Sequence, residues 1–390
     1  MRERIFLDRI KDLVSLYTTS QPFALTLNSY FRNHPQMGAR DRRQTRDFCF
    51  AYYRLGKALP KYDFSERLAI ASFLCIDGEN SQRDFMLNEF AVKLAGKTSM
   101  SIDEKLKLVE NLYPDFKLSD VFPSVGRMSN GIDEYEFLKS FFIQPLLWIR
   151  IRKKFIAQVN DDLAGKGIII EEKAGETCLG LKSGQKIDDL RTYKKGYFEI
   201  QDRSSQSMQS FYRPLPKSYW CDACAASGGK SLMLLEEQSD LNILAVDVRP
   251  NILFNYKERL NKVGWKNFKT LTHDVSSKGM DEKFAGVIAD VPCTGSGTWS
   301  RSPEHLTLSP DEGYLDKFVK LQRRIVANLV ASLPAGAPLI YSTCSSYSAE
   351  NEGNVLFFEQ NLPLKAEESM IIPGFRQKAD TMFISRMIKV

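Results

Sequence analysis

YWCDACAASGGKSLML, residues 219–234, runs from an apolar strand through a glycine-containing turn into a helix. Further apolar runs of strand length follow: NILAVDV (242–248), FKTLTHD (268–274), FAGVIAD (284–290) and APLIYST (337–343). Between and after them lie stretches with helical periodicity: PNILFNYKERLNKVG (250–264), YLDKFVKLQRRIVANLVASL (314–333) and SAENEGNVLFFEQNL (348–362). Alternating strand and helix predicts a doubly wound α/β domain with a mostly parallel sheet. TMFISRMIKV (381–390) reads as a closing edge strand. In such sheets ligands bind beyond the carboxyl ends of the strands, and those ends carry the unusual residues.

Acids gather there. Asp222, Asp247, Asp274 and Asp290 stand at four consecutive strand ends. Each alone could cap a turn or a helix. Together with the loop Cys224-Ala225-Ala226-Ser227-Gly228-Gly229-Lys230 they read as a cofactor site. The glycines let the backbone approach a ligand, and the following helix start offers N–H groups to an anion. A carboxylate at the next strand end, here Asp247, typically holds ribose hydroxyls. The loop is neither a Walker loop nor G-x-G-x-x-G. Its Cys221/Cys224 pair lacks a second ligand pair, so no metal is expected.

Two cysteines complete the pattern. Cys293 lies in Asp290-Val291-Pro292-Cys293-Thr294-Gly295-Ser296-Gly297, and Cys344 in Ser342-Thr343-Cys344-Ser345-Ser346. Alone, each would be a core cysteine. Both, however, follow strands and enter hydroxyl- and glycine-rich turns, where nearby helix starts are expected to favour thiolate. A thiolate is a fitting nucleophile for C6 of a pyrimidine, whose C5 then becomes nucleophilic. The combination points to group transfer onto an electron-poor ring through a covalent thioether.

The chain's 390 residues call for two or three domains, and 43% hydrophobic with 26% charged residues is ordinary for a globular protein. The net charge of +6 is compatible with a polyanionic partner without requiring one. No run reaches the ~18 apolar residues of a membrane span. Seven scattered cysteines and a charged, amphipathic start are expected of a reducing, cytoplasmic compartment. Residues 1–130 read as helical, with Arg40, Arg42, Arg43 and Arg46 clustered at one helix start, either a solvated face or a phosphate contact. Residues 131–200 read as a small α/β module. In LLWIRIRKKF, Trp148, Arg150 and Arg152 alternate with Leu147, Ile149 and Ile151, giving a basic strand face that suits RNA or a domain interface. Residues 201–390 form the α/β domain.

The motifs over residues 140–390 resemble the RNA cytosine-5 methyltransferases of the Sun/RsmB type. GYFEIQDRSSQ (196–206), DACAASGGK (222–230), Asp247, Asp274, DVPCTGSG (290–297) and Thr343-Cys344-Ser345 stand in that family's order. The departures are Ser227 where proline is usual, which would loosen the loop, a poor fit around Arg301, Pro303 and Glu304, and DTMF near the end. The resemblance implies a Rossmann-like methyltransferase domain using S-adenosyl-L-methionine. Cys344 would attack C6, and Cys293 would assist product release. Asp290 and Lys230 would hold the base. Residues 224–230, Asp247, Asp274 and Asp290 would hold the cofactor. The stretch LNSYFRNHPQMGARDRRQTRDFCFAYYRLGKAL is similar to the all-α NusB-like domain of bacterial rRNA members, and residues 131–200 to an RNA-recognition-like module. That implies an RNA substrate, small-subunit (16S) rRNA before tRNA; separately, a monomer without metal is expected. The competing readings are DNA cytosine-5 methylation, with the Pro-Cys thiol as nucleophile, and an RNA-binding factor without catalysis.

Overall fold

The computed structural model describes all residues except 1, 19, 20, 124, 125, 310 and 312. It divides into two compact units, one of residues 1–124, 133–144 and 299–311, the other of 125–132, 145–298 and 312–390.

The first unit is helical, with helices Arg2–Ser15, Phe23–Asn33, Ala39–Arg54, Phe64–Cys75, Ser81–Phe90, Ile102–Leu112 and Glu134–Ser140. Local signals set the ends. Asp63 accepts from the Glu66 amide, and Ser101 forms a reciprocal capping box with Glu104. Phe6, Ile10, Phe23, Phe48 and Tyr53 are buried, with the Phe6 ring edge-on to Phe48 and the Phe23 ring edge-on to Tyr53. Residues 299–311 enter this unit although they lie inside the α/β sequence. The buried Glu304 accepts from the Phe23 amide at 3.0 Å, and the buried Arg54 donates to the carbonyls of Phe141 and Ser300. Within the arginine cluster, Arg42 is committed to the Met37 carbonyl at 2.9 Å, whereas Arg40 and Arg43 are exposed.

The second unit holds two sheets. The smaller joins β1 (Leu147–Ile151), β2 (Ile170–Lys173), β3 (Cys178–Leu181) and β4 (Phe198–Ile200) in the order β2-β3-β1-β4. The larger joins β5 (Tyr219–Asp222), β6 (Asn242–Asp247), β7 (Phe268–Thr272), β8 (Gly286–Asp290), β9 (Pro338–Thr343), β10 (Leu364–Pro373) and β11 (Thr381–Lys389). Its order is β10-β11-β9-β8-β5-β6-β7, parallel from β9 to β7 and antiparallel at β11 and β10. The chain reverses its direction of growth between β5 and β8. That switch point is where an α/β sheet opens a crevice.

Two expectations are corrected. The final strand β11 is not at the edge. It lies between β9 and β10 with Met382, Phe383, Ile384 and Met387 buried, as suits a strand covered on both faces. The basic face of β1 is not open for RNA either. Trp148, Arg150 and Arg152 are all buried. Arg150 and Arg152 pair with Glu236 on helix Gly229–Glu237, Arg152 also lies 3.6 Å from Glu199, and the Arg150 Nε donates to Gln201 at 2.6 Å. Buried guanidinium groups need such partners, so the alternation marks a packed interface.

Candidate active site

The loop after β5 is shaped by backbone conformation. Ala226 and Gly228 both have positive φ, +45° and +87°. A Cβ on Gly228 would lie 2.8 Å from the Tyr256 ring, so only glycine fits there. Helix Gly229–Glu237 follows with no side-chain cap at its N-terminus, which leaves its first amides available to an anion. Ser227 is tied to helix Pro250–Lys262. Arg259 donates to its hydroxyl at 3.0 Å and to its carbonyl at 3.3 Å, and the same guanidinium pairs with Glu199.

Asp247, at the end of β6, is almost fully buried. It accepts from the Ala226 amide at 3.1 Å and from the Arg249 amide, Nε and Nη2 at 3.0, 2.9 and 3.1 Å. Burial would raise its pKa, but the hydrogen bonds from Arg249 prevail and hold the carboxyl below its ordinary range. Asp222 ends β5 and accepts from Ser231 at 2.7 Å. Its burial pushes the carboxyl up to about 7. Asp274 differs from the expectation. It stands two residues beyond the end of β7, exposed, with Oδ1 accepting from the Ser276 amide and hydroxyl at 2.9 and 2.7 Å. It is an Asx-type turn residue here.

At the switch point the remaining predicted residues converge. Asp290, ending β8, pairs with Lys230 at 2.5 Å and accepts from Ser342 at 2.8 Å. Burial opposes charge on Lys230, yet the Asp290 carboxylate raises its ammonium above the ordinary lysine range. Cys293 and Cys344 follow β8 and β9, which pair in parallel, and their sulfurs lie 3.3 Å apart. Both residues are partly exposed. Gly297 permits this closeness. Its amide donates to the Cys344 carbonyl at 2.9 Å, and a Cβ there would meet the Thr381 carbonyl oxygen at 2.1 Å.

The thiolate-favouring effect expected of helix starts is not met at Cys293. Only a 3-residue turn of helix follows it, Ser296–Thr298. The hydrogen bond with Cys344, then burial, raise the Cys293 thiol well above its ordinary range. Cys221, by contrast, is a core residue, and burial pushes up the Cys224 thiol.

Sequence reading missed the residues beneath the thiols. Glu350 is fully buried. It accepts from the Thr294 amide at 2.9 Å, the Thr294 hydroxyl at 2.6 Å, Gln322 Nε2 at 2.8 Å and the Ser345 hydroxyl. Ser296 accepts from the Ser346 amide at 2.8 Å. The one signal was the density of hydroxyl residues in 342–348, two residues before an acid, a pattern that a solvated turn shares.

Residues 210–386 match the family described as 16S rRNA methyltransferase RsmB/F. The chain is 28% identical over 261 residues to the ribosomal RNA small subunit methyltransferase B of Citrobacter koseri, covering 63% of this chain and 60% of that protein. It is 31% identical over 192 residues to a tRNA (cytosine(72)-C(5))-methyltransferase of Pyrococcus horikoshii, 48% of each. The alignments thus span about 60% of the length of the bacterial relatives. Among solved structures, PH0851 superposes with a TM-score of 0.74 over 98% of both chains at 21% identity. NSun6 from Pyrococcus horikoshii with SFG does so with 0.60, over 69% of this chain and 98% of that one, at 18% identity. Both are similarities of fold.

Proposed function

We propose, on the premise that residues 210–386 are a Sun/RsmB-type RNA methyltransferase domain, that the chain transfers a methyl group from S-adenosyl-L-methionine to C5 of a cytidine in RNA. The observation that carries this reading is the pair of thiols 3.3 Å apart at adjacent parallel strand ends, beside the Lys230–Asp290 pair. When bound, the cofactor supplies an electrophilic methyl on a sulfonium.

The residues present fit that cofactor. The uncapped amides at Gly229 suit its carboxylate. Asp247 suits its ribose diol, once the more than half-exposed Arg249 side chain yields. Asp274 is assigned to the adenine end. In the reaction, Cys344 gives its electron pair to C6 and the C5–C6 double bond opens. Asp290 holds N3 and the exocyclic amine while Lys230 balances the charge. C5 takes the methyl, the electrons of the broken S–C bond staying on the donor sulfur; a base then removes the C5 proton, and the electrons of that C–H bond restore the double bond as the Cys344–C6 bond breaks. Cys293, held as a thiol, supplies a proton near the departing sulfur. The target base must leave any stack to reach this crevice.

The substrate proposed is small-subunit rRNA, after the family described for residues 210–386. The Pyrococcus relative's name supports tRNA as the second reading. The helical unit is assigned as a NusB-like RNA-binding domain with Arg40 and Arg43 free to meet phosphates, and β1–β4 as the RNA-recognition-like module. No helix among the described residues is long and apolar enough to cross a membrane. The chain is taken to act as a cytoplasmic monomer. The test is transfer of tritiated methyl to unmodified small-subunit rRNA, with the product identified as 5-methylcytidine. Binding of S-adenosyl-L-methionine without transfer would favour the non-catalytic reading.

A further inference from the structure

We infer that Glu350 is the positioning residue of the thiol pair: its carboxylate fastens the loop bearing Cys293 to the loop bearing Cys344 and sets a buried charge beside Cys293. The inference rests on the proposed function for its kinetic consequences, but not for its geometry. Thr294 is the neighbour of Cys293, and it gives Glu350 both its amide and its hydroxyl, at 2.9 and 2.6 Å. Ser345 is the neighbour of Cys344, and its hydroxyl donates to the same carboxylate. Gln322, on helix Tyr314–Val330, donates at 2.8 Å and also holds the Pro292 carbonyl at 2.9 Å. Four donors fill the acceptor sites of one carboxylate. The backbone carbonyl of Glu350 is fixed in turn by the Tyr341 hydroxyl at 2.5 Å. Glu350 therefore cannot move without releasing one loop or both.

The charge matters as well as the clamp. The groups facing Cys293 are Cys344 and Glu350 from the segment after β9, Tyr341 on β9 and Tyr314 on helix Tyr314–Val330. Beyond Cys344 lies Lys230, paired with Asp290. Glu350 adds to the forces that keep Cys293 protonated. Two sulfurs this close would otherwise compete as nucleophiles. A fixed negative charge on the Cys293 side separates their roles.

The experiment uses Glu350→Gln, which keeps the shape and removes the charge, and Thr294→Val, which removes one donor only. Alkylation of Cys293 is followed against pH with iodoacetamide in a Cys344→Ser background. The midpoint is expected to fall in Glu350→Gln, because a negative charge facing the thiol is removed. In the otherwise native chain, kcat is expected to fall about 10–100-fold with KM for RNA little changed, the signature of misplaced reacting groups. Thr294→Val should lower kcat less and leave the alkylation midpoint in place. Glu350→Asp, too short to span both loops, should not rescue kcat. An unchanged midpoint together with an unchanged kcat in Glu350→Gln overturns the inference. A native chain that transfers no methyl overturns the proposed function instead, while the alkylation profile still decides the role of Glu350.

Discussion

Replacing Gly228 by alanine isolates the contribution of one backbone conformation to cofactor binding. Gly228 has φ +87° and ψ 16°. A residue with a Cβ gives up about 1–2 kcal/mol in the left-handed region. The new methyl would also lie 2.8 and 3.0 Å from two Tyr256 ring carbons and 3.1 Å from a Leu260 methyl. Both side chains are fully buried on helix Pro250–Lys262 and have nowhere to withdraw. Overpacking of that kind adds about 1–3 kcal/mol. The total is about 2–5 kcal/mol, relieved most simply if the loop abandons its ligand-ready shape. At 1.4 kcal/mol per decade, even the lower figure weakens S-adenosyl-L-methionine binding about 30-fold. The neighbouring Gly229→Ala is the control. Its Cβ would meet nothing nearer than Gln201 at 3.7 Å and Arg259 at 3.8 Å, without a positive φ. Isothermal titration of both variants decides the matter. Equal affinities for Gly228→Ala and the unaltered chain, or equal losses in the two variants, refute the reasoning.

Other consequences are as direct. Glu236→Gln leaves Arg150 and Arg152 buried beside a neutral partner. It should destabilise the chain by about 3–5 kcal/mol in urea unfolding, the usual cost of breaking a buried pair. Asp222 is pushed up to about 7 by burial, so its folded form keeps a proton that the unfolded form has lost. Stability from this group is full below the unfolded carboxyl range, near pH 4, and is lost as pH rises through about 7. Asp222→Asn should therefore melt progressively higher than the unaltered chain from pH 5 to pH 8, and a constant difference across that range contradicts the assignment. Arg259→Ala frees the Ser227 hydroxyl and carbonyl, and should weaken cofactor binding while Ser227→Ala, which loses one of the two contacts, weakens it less.

The sheet was legible because β5, β6, β8 and β9 are near-continuous apolar runs whose ends carry Asp, Cys or a glycine turn. Burial on both faces writes that pattern directly into sequence. The thiols were legible for the same reason, each lying next to a strand end. β11 was misplaced at the edge because an apolar run does not reveal its partners, and β10, partly exposed, carries the weaker signal. Arg150 and Arg152 left an RNA face and a packed interface both open because alternation reports two faces of a strand but not what covers them. Their partner Glu236 lies on a separate helix. Glu304 and Trp299 sit between the two cysteine motifs in sequence yet pack in the helical unit, a long-range choice that no local pattern encodes. Asp274 looked like the others, but strand β7 stops before it and its own carboxylate closes a turn. Glu350 escaped notice because its meaning lies in two loops meeting above it.

The proposed reaction gives the two sulfurs different tasks. RNA carrying 5-fluorocytidine at the target cannot lose its C5 substituent as a proton, so the covalent adduct persists once formed. With S-adenosyl-L-methionine present, the unaltered chain and Cys293→Ala should each give a denaturation-resistant protein–RNA adduct, and Cys344→Ala none. An adduct on Cys344→Ala that disappears in Cys293→Ala would assign the attack to the other thiol and contradict the account.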